Sequence, residues 1–288
     1  MMGIIFAMPG NEVMADEIAR HAGVARGALE FRRFPDRESY VRVFSDVRGK
    51  RAWIVCTLND PDPKIMGLIL AAGALREWGA ASVGLIAPYL AYLRQDAHFA
   101  DGEALSAKHF ARLVASAFDS VTTVDPHLHR IQELDEIYTI PARAVSAAPL
   151  IGAWIAANVE RPILIGPDSE SRQWVRVAAA AANAPHLVLN KHRLGDRSVE
   201  IAWPDLGAAA GRTPVLVDDI ASSGRTLVEA AKGLAARGLG KPVCVIVHAL
   251  MDERASAELG GVCERLASTD TVAHVSNLIN VAPLLAAI

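Results

Sequence analysis

Short apolar runs alternate along this chain with longer stretches in which apolar residues recur at helical spacing. Most of the runs are rich in Val, Ile, Leu and Ala, and four of them are followed directly by Pro, Asn or Asp, which is typical of buried strands that end in turns. In the first half, the predicted strands cover residues 3–8, 29–33, 40–44, 52–56, 82–86 and 121–124. The predicted helices of that half cover residues 11–21, 64–78 and 106–118.

The second half repeats the alternation, with strands predicted at residues 162–165, 186–189, 215–217 and 243–247 and helices at residues 149–158, 172–182 and 226–234. A helix near Glu253 and a last strand and helix bring the chain to Ile288. Strands that alternate with helices predict parallel sheets covered by helices on both faces. We therefore expect an α/β protein with two domains, residues 1–145 and residues 146–288.

Composition narrows the class of protein. The chain has 288 residues, of which 52% are hydrophobic, enough for one large or two ordinary domains. It contains neither a long uninterrupted apolar stretch nor a signal-peptide pattern at its start, so we expect a soluble cytoplasmic protein without a membrane partner. The net charge of −3, without a run of like charge, argues against nucleic acid. Cys56, Cys244 and Cys263 are widely spaced, which predicts reduced core residues.

The most informative stretch covers residues 214–226. Its apolar strand ends at Asp218 and Asp219, and a Ser-Ser-Gly turn leads into the next helix. A helix N-terminus presents unpaired N–H groups that bind phosphate, and paired carboxylates suit the hydroxyls of a sugar. The pattern favours a sugar phosphate ligand, while the alternative is that Ser222 or Ser223 is an ordinary helix cap and the aspartates are solvated.

This stretch resembles the phosphoribosyl-diphosphate-binding motif of phosphoribosyltransferases and ribose-phosphate diphosphokinases. Many of the diphosphokinases carry a third acidic residue where this chain has Ser222, so the motif looks more like that of the archaeal-type branch and some transferases. The resemblance implies a ribose 5-phosphate site formed by Asp218, Asp219, Ser222, Ser223, Gly224, Arg225 and Thr226.

A second segment favours the diphosphokinases. Residues 88–96 end in Arg94-Gln-Asp96, and Glu103-Ala-Leu-Ser-Ala-Lys108 follows, in the order that diphosphokinases show and transferases do not. The resemblance places Arg94 and Gln95 on ATP, Arg94 as a charge for phosphate and Gln95 as a hydrogen-bonding group. The alternative is a solvated loop followed by a helix capped by Ser106.

Phe34-Pro-Asp-Arg-Glu38 resembles the segment with which diphosphokinases hold the adenine of ATP. An aromatic ring offers stacking and carboxylates accept from the exocyclic amine, although Pro-Asp in isolation is typical of a hairpin turn. The resemblance implies ATP-binding roles for four residues, namely Phe34, Asp36, Arg37 and Glu38.

Three further segments complete the resemblance. His127, in Val124-Asp-Pro-His127, and Asp168, in Gly166-Pro-Asp168, match metal-site residues of the family, and the implied ion is Mg²⁺, which few protein groups hold directly. A surface Asp-Pro-His turn is the alternative for His127, and Glu170-Ser171 replaces a Gly pair of many members. Lys191 and Arg193 match the catalytic loop, although Lys-His-Arg is also common in polar loops.

Taken together, the resemblance implies two phosphoribosyltransferase-like (type I) domains, with the nucleotide-side residues in the first and the sugar-phosphate site and catalytic loop in the second. The implied activity is ribose-phosphate diphosphokinase, with ATP, ribose 5-phosphate and Mg²⁺, in a homo-oligomer of two or more subunits. A phosphoribosyltransferase explains residues 218–226 but leaves several matched residues without a role, namely Arg94, Gln95, His127 and residues 191–193. A catalytically inactive, synthetase-associated regulatory protein is the other alternative.

Overall fold

The computed structural model of the protein covers residues 3–128, 130–169, 171–193 and 199–288, without the side chains of residues 190–193 and 199–202. The chain divides into two units, one of Met1–Val145 with Val281–Ile288 and one of Ser146–Asn280. The sequence had assigned residues 281–288 to the second domain. They belong to the first unit, because their helix packs against the first helix and a strand of that unit.

The first unit is built on one parallel sheet. Its helices are α1 (Glu12–Ala22), α2 (Asp62–Glu77), α3 (Ser106–Ala117) and α8 (Ala282–Leu285). Its strands are β1 (Gly3–Ala7), β2 (Ala25–Arg26), β3 (Leu29–Arg33), β4 (Ser39–Val43), β5 (Arg51–Val55), β6 (Ser82–Ala87), β7 (Ser120–Val124) and β8 (Ala142–Val145). The sheet order is β2-β1-β5-β6-β7-β8 with parallel pairings, and β3 and β4 form a separate antiparallel hairpin.

The second unit repeats this plan. Its helices are α4 (Ala148–Asn158), α5 (Arg172–Ala181), α6 (Arg225–Ala236) and α7 (Glu253–Val262). Its strands are β9 (Pro162–Gly166), β10 (His186–Val188), β11 (Asn190–Arg193), β12 (Val199–Ala202), β13 (Thr213–Ala221), β14 (Val243–Ala249), β15 (Arg265–Thr269) and β16 (Asn277–Ile279). The parallel sheet has the order β10-β9-β13-β14-β15-β16, and β11 and β12 form an antiparallel hairpin.

The apolar runs of the sequence form the centres of these sheets. All seven residues of β14 are buried, as are four of the five in both β5 and β9, because helices cover parallel sheets on both faces. The predicted fold class, two mostly parallel sheets flanked by helices, is confirmed. The three cysteines are buried and form no disulfide, as expected. Within the described ranges, none of the helices has the length and apolar character needed to cross a lipid bilayer.

Two local features differ from the prediction. The strand predicted to end at the paired aspartates continues through them, because β13 runs on beside β14 as far as Ala221. The segment that resembles the family's catalytic loop, with Lys191 and Arg193, lies on the first strand of the β11–β12 hairpin. Residues 194–198, between these two strands in the sequence, lie outside the described part of the chain.

Candidate active site

The strand order of the second unit's sheet reverses direction between β9 and β13. The chain leaves β9 through α5 to β10 on one side, and it leaves β13 through α6 to β14 on the other. The two connections diverge, so the carboxyl ends of β9 and β13 flank a topological switch point. Open α/β sheets bind their ligands at such points.

Residues 222–226, the turn after β13 and the first two residues of α6, are the predicted phosphate cradle, and they lie at this point. The residue before α6 is Gly224, with a left-handed φ of 67°, and no side-chain hydrogen bond caps α6 in the described structure. The structure therefore does not support the alternative in which Ser222 or Ser223 is an ordinary cap. The first N–H groups of a helix need acceptors and carry the positive end of the helix dipole, so a phosphate suits this position.

A pocket of about 80 Å³ opens over these residues. Asp218 and all five residues of the cradle line it, and Ser222, Ser223 and Arg225 are exposed to solvent. Asp219 is the one predicted sugar-phosphate residue that does not line this pocket in the described structure. The pocket therefore combines N–H groups, hydroxyls and a guanidinium with one carboxylate, a set that matches a phosphorylated sugar.

Carboxylates crowd the sheet edge beside the pocket. Burial raises the pKa of Asp218 well above its usual value, and the neighbouring carboxylates of Asp219 and Asp168 raise it further. The backbone N–H of Asp219 donates to Oδ1 of Asp218 at 3.1 Å, which offsets this only in part. A charged Asp218 is therefore stabilised by groups that donate to it or by a cation, and sugar hydroxyls and Mg²⁺ are such partners.

Asp168 lies in the loop after β9. Its Oδ1 accepts from the backbone N–H of Ser171 at 3.2 Å, and the hydroxyl of Ser171 donates to the carbonyl of Asp168 at 2.7 Å. Glu170 lies outside the described residues. In the part of the chain that the structure describes, no group of three or more His, Cys, Asp or Glu side chains could hold a metal ion. A single carboxylate such as that of Asp168 suits an ion that is bound mainly by water and phosphate oxygens, as Mg²⁺ on nucleotides is.

The predicted catalytic residues Lys191 and Arg193 lie on β11, paired with Ile201 and Val199 of β12. Their side chains are outside the described part of the structure. β11 starts directly after Leu189, which is buried in the core of the second unit. Lys191 and Arg193 thus lie on one strand, and that strand belongs to the same unit as residues 222–226.

In the first unit, the loop after β6 carries the predicted nucleotide residues. Arg94 is exposed, while the amide of Gln95 donates to Oε2 of Glu103 at 2.8 Å. Glu103 also accepts from the backbone N–H groups of Phe99 at 2.7 Å and Ala100 at 3.1 Å, which lower its pKa. Ser106 is the first residue of α3 rather than its cap, and no side-chain cap is present there among the described residues. Glu103 thus organises the loop, a role that the sequence had not assigned.

The loop after β7 carries His127, and a buried carboxylate joins it to the Arg94 loop. The Asp96 side chain is 1% exposed, and its Oδ1 lies 3.1 Å from Nη1 of Arg130. Its Oδ2 accepts from the backbone N–H of Arg130 at 2.9 Å. Sequence analysis assigned no role to Arg130, and the one available signal was the position of Asp96 beside Arg94 and Gln95. The structure thus brings the loops of Arg94 and His127 together.

Phe34, Asp36, Arg37 and Glu38 form the exposed turn between β3 and β4. The N–H of Phe34 donates to the carbonyl of Glu38 at 2.9 Å, and the N–H of Glu38 donates to Oδ1 of Asp36 at 3.2 Å, so the segment is a hairpin turn. The guanidinium carbon of Arg32 lies 4.7 Å from the ring centroid of Phe34 and 3.9 Å from that of Tyr40. The guanidinium of Arg32 thus packs on the Phe34 ring, and Phe34 is still 40% exposed. The exposed part of the ring is available for stacking on a base.

At the equivalent switch point of the first unit, between β1 and β5, polar side chains form hydrogen bonds within the unit itself. Nζ of Lys64 lies 2.8 Å from the carbonyl of Thr57 and 2.7 Å from Oδ1 of Asn59. The carboxamide of Asn11 accepts from the N–H of Thr57 at 2.7 Å. The two units share the same strand order, and the predicted cradle of residues 222–226 lies in the second unit.

Comparison with known proteins finds a separate family model for each of the two units. A family model described as the N-terminal domain of ribose phosphate pyrophosphokinase matches residues 3–117, and one described as a phosphoribosyl transferase domain matches residues 133–263. A solved structure, phosphoribosylpyrophosphate synthetase from Mycobacterium smegmatis, has a similar fold, with a TM-score of 0.85 at 24% identity over 99% of this chain and 97% of that one.

Curated relatives match nearly the whole chain. A ribose-phosphate pyrophosphokinase of Methanopyrus kandleri is 35% identical over 97% of this chain and 96% of its own length. That of Methanosarcina acetivorans is 33% identical, covering 98% and 97%, and ribose-phosphate pyrophosphokinase 2 of Archaeoglobus fulgidus is 33% identical, covering 98% of each. These archaeal relatives confirm the resemblance that the motifs indicated.

Proposed function

This chain belongs to the ribose-phosphate pyrophosphokinase family, and on that basis we propose that it transfers the diphosphoryl group of ATP to the 1-hydroxyl of ribose 5-phosphate. The products are 5-phosphoribosyl 1-diphosphate, a precursor in nucleotide biosynthesis, and AMP. The observation that carries the proposal is the cradle of residues 222–226 at the switch point, with Asp218 in the same pocket.

The cradle binds the 5-phosphate, and Asp218 accepts from ribose hydroxyls. The N–H groups at the start of α6 and the hydroxyls of Ser222, Ser223 and Thr226 supply donors for phosphate oxygens. Because the pKa of Asp218 is raised by burial and by Asp219 and Asp168, hydrogen bonds from the sugar relieve an unfavourable charge. Asp219 lies beside the pocket, and its proposed role is to raise the pKa of Asp218 through the repulsion between the two carboxylates.

The hydroxyl of the sugar attacks the β-phosphorus of ATP, and the bond from that phosphorus to the oxygen of AMP breaks. Negative charge spreads over the phosphoryl oxygens during this step, and preorganised cations lower its energy. Lys191 and Arg193 are the residues proposed for this role. Asp168 and His127 are the proposed Mg²⁺ contacts. Bound Mg²⁺ would neutralise phosphate charge and align the phosphates.

ATP is held by two sets of residues in the first unit. Arg94 is exposed and free of a described ion pair, so its guanidinium suits the phosphates, and the side-chain oxygen of Gln95 suits a hydrogen bond. Phe34, Asp36, Arg37 and Glu38 are proposed to hold the adenine of ATP bound to a neighbouring subunit. The protein is therefore proposed to work as a homo-oligomer, in the cytoplasm where its charged substrates are retained.

The test is AMP formation by purified protein with ATP, Mg²⁺ and ribose 5-phosphate, measured by chromatography with and without the sugar phosphate. The proposal predicts AMP that depends on ribose 5-phosphate and appears in equal amount to phosphoribosyl diphosphate. Pyrophosphate release that depends on a nucleobase, without AMP formation, would favour a phosphoribosyltransferase instead. Protein that binds both substrates without turnover would favour the regulatory alternative.

A further inference from the structure

The indole ring of Trp203 lies on α6 immediately beyond the β11–β12 hairpin. β12 ends at Ala202, so Trp203 is the next residue of the chain. Its ring packs against the buried cluster of the second unit, to which Leu227, Val228 and Leu234 of α6 contribute. The end of the hairpin is therefore attached to the helix that begins at the phosphate cradle.

Gly233 makes this close approach possible. A Cβ atom built on Gly233 would lie 2.2 Å from Cζ2 of Trp203 and 2.7 Å from its Cη2. Real Cβ atoms do not approach other heavy atoms so closely, so alanine at this position would displace the ring. Gly233 also lies inside α6, where glycine is less favourable than alanine for the helix itself. The contact with the Trp203 ring therefore explains why a glycine occupies this position in the helix.

Arg237 covers the ring from another side. Its guanidinium carbon lies 4.1 Å from the ring centroid of Trp203, within the range of a cation–π contact. Its Nη1 donates to the carbonyl of Gly233 at 3.1 Å, which holds the guanidinium one turn along the helix. The Trp203 ring thus contacts Gly233 on one side and Arg237 on another, and these two contacts restrict the orientation of the ring.

The other end of the hairpin is attached to the same core. Leu189, the residue before β11, is fully buried in the cluster that contains the apolar side chains of α6. Its backbone N–H donates to the carbonyl of Gly166 at 2.9 Å, at the end of β9. Both ends of the hairpin are therefore held by the core beneath the cradle and Asp168.

We propose that Trp203 is a positioning residue, whose packing on Gly233 and Arg237 sets the placement of the hairpin that carries Lys191 and Arg193 relative to the cradle. The inference rests on the proposed function, because it assigns the hairpin to the transfer step. Loosening the Trp203 contact leaves the cradle intact and misplaces the cations. Small errors in the placement of reacting groups cost large factors in rate.

The test compares Gly233→Ala and Trp203→Ala with two matched controls. Gly73→Ala changes a glycine inside α2 whose added Cβ has no heavy atom within 4 Å, and Trp78→Ala removes an indole that is 67% exposed. We expect kcat to fall roughly 10- to 100-fold in both test variants, with the KM for ribose 5-phosphate changed less than about threefold. Both controls should keep wild-type kinetics.

Backbone hydrogen exchange gives a second readout that does not depend on turnover. Amides of residues 190–193 and 199–202 should exchange faster in Gly233→Ala and Trp203→Ala, while those of β13 and β14 keep wild-type rates. Adding Trp203→Phe to Gly233→Ala should restore part of kcat, because the smaller ring leaves room for the new methyl group.

Two results would overturn the inference. One is unchanged kcat with faster exchange in the hairpin, which would show that hairpin placement does not limit the transfer. The other is a parallel loss of kcat, ribose 5-phosphate affinity and thermal stability, which would show a general packing role. An inactive wild-type protein would instead contradict the proposed function, and the exchange data would still report whether Trp203 holds the hairpin.

Discussion

The buried carboxylate of Asp96 accepts hydrogen bonds from both the backbone N–H and the guanidinium of Arg130, which lies 34 positions further along the chain. Arg130 also lies over the ring of Phe99, with its guanidinium carbon 5.0 Å from the ring centroid. One residue therefore ties the loop of His127 to the loop of Arg94 and Gln95. We infer that this pair keeps the proposed phosphate and metal contacts of the first unit in a fixed relation.

Replacing this carboxylate should destabilise the protein near neutral pH. Burial opposes the charge of Asp96, but the hydrogen bonds from Arg130 outweigh it and lower its pKa. Asp96→Asn should cost about 1–2 kcal/mol of stability at pH 7, seen as a lower Tm in calorimetry. Because the folded pKa is lowered, this contribution is present above the unfolded pKa of about 3.9 and disappears as the pH falls through the folded value.

The matched control is Asp46→Asn, which removes the carboxylate of an exposed pair with Arg48. Exposed ion pairs contribute little, so this variant should melt like the wild type. An Asp96→Asn protein that melts like the wild type at pH 7 would show that the Arg130 pair does not stabilise the first unit.

Lys191→Ala should reduce turnover far more than substrate affinity. The charge of Lys191 is proposed to act mainly while the diphosphoryl group is transferred, and loss of one such contact typically costs roughly 10²–10³ in rate. Steady-state kinetics with both substrates measures the effect. Lys232→Ala, at an exposed position on α6, is the control. Near-normal turnover would remove Lys191 from the mechanism.

Asp218→Asn should weaken ribose 5-phosphate binding and raise thermal stability. The carboxylate accepts from sugar hydroxyls, and its replacement by an amide should lower affinity about tenfold or more, with ATP binding largely unchanged in calorimetry. The pKa of Asp218 is raised, so folded stability is lost as the pH rises from the unfolded to the folded value, and the variant should escape this loss.

The rise in Tm should be about 2–4 °C for each kcal/mol relieved. Equal loss of affinity for both ligands, or a lower Tm, would contradict the assignment of Asp218 as a sugar-binding carboxylate whose charge destabilises the folded protein.

Mixed oligomers should test the shared adenine site. If the turn of Phe34, Asp36 and Glu38 completes a neighbour's site, a subunit alone has a partial adenine pocket. Inactive Asp36→Ala/Glu38→Ala subunits mixed with inactive Lys191→Ala subunits should then regain part of the activity, because some sites combine intact parts of both. Activity is measured after exchange of differently tagged subunits. Demonstrated exchange without recovered activity would show that each subunit binds adenine with its own residues.

Much of the fold follows from local pattern, and the exceptions have physical causes. Buried parallel strands such as β9 and β14 are continuous apolar runs, which the sequence shows directly. β13 was predicted too short because Asp218 and Asp219 are polar, although a strand end that borders a ligand pocket can carry polar side chains. The placement of α8 depends on contacts with α1, which are remote in sequence and leave no local signal.

The candidate site was predictable only where residues cluster in short motifs. The cradle, Arg94 with Gln95, and the 34–38 turn are each continuous in sequence, so a family pattern identifies them. Arg130 and Gly233 act through partners 34 and 30 positions away, Asp96 and Trp203, and nothing in the sequence pairs them. Side-chain packing selects such pairs, and a single sequence does not show it.

The fate of the β-phosphorus of ATP tests the central claim most directly. ATP carrying ³²P at the β position is incubated with the protein, Mg²⁺ and ribose 5-phosphate, and the labelled products are separated. The account predicts that the label enters the sugar product in equal amount to the AMP formed, and that Lys191→Ala slows this transfer. Label that stays in ADP, or that appears only in free pyrophosphate or phosphate, would contradict it.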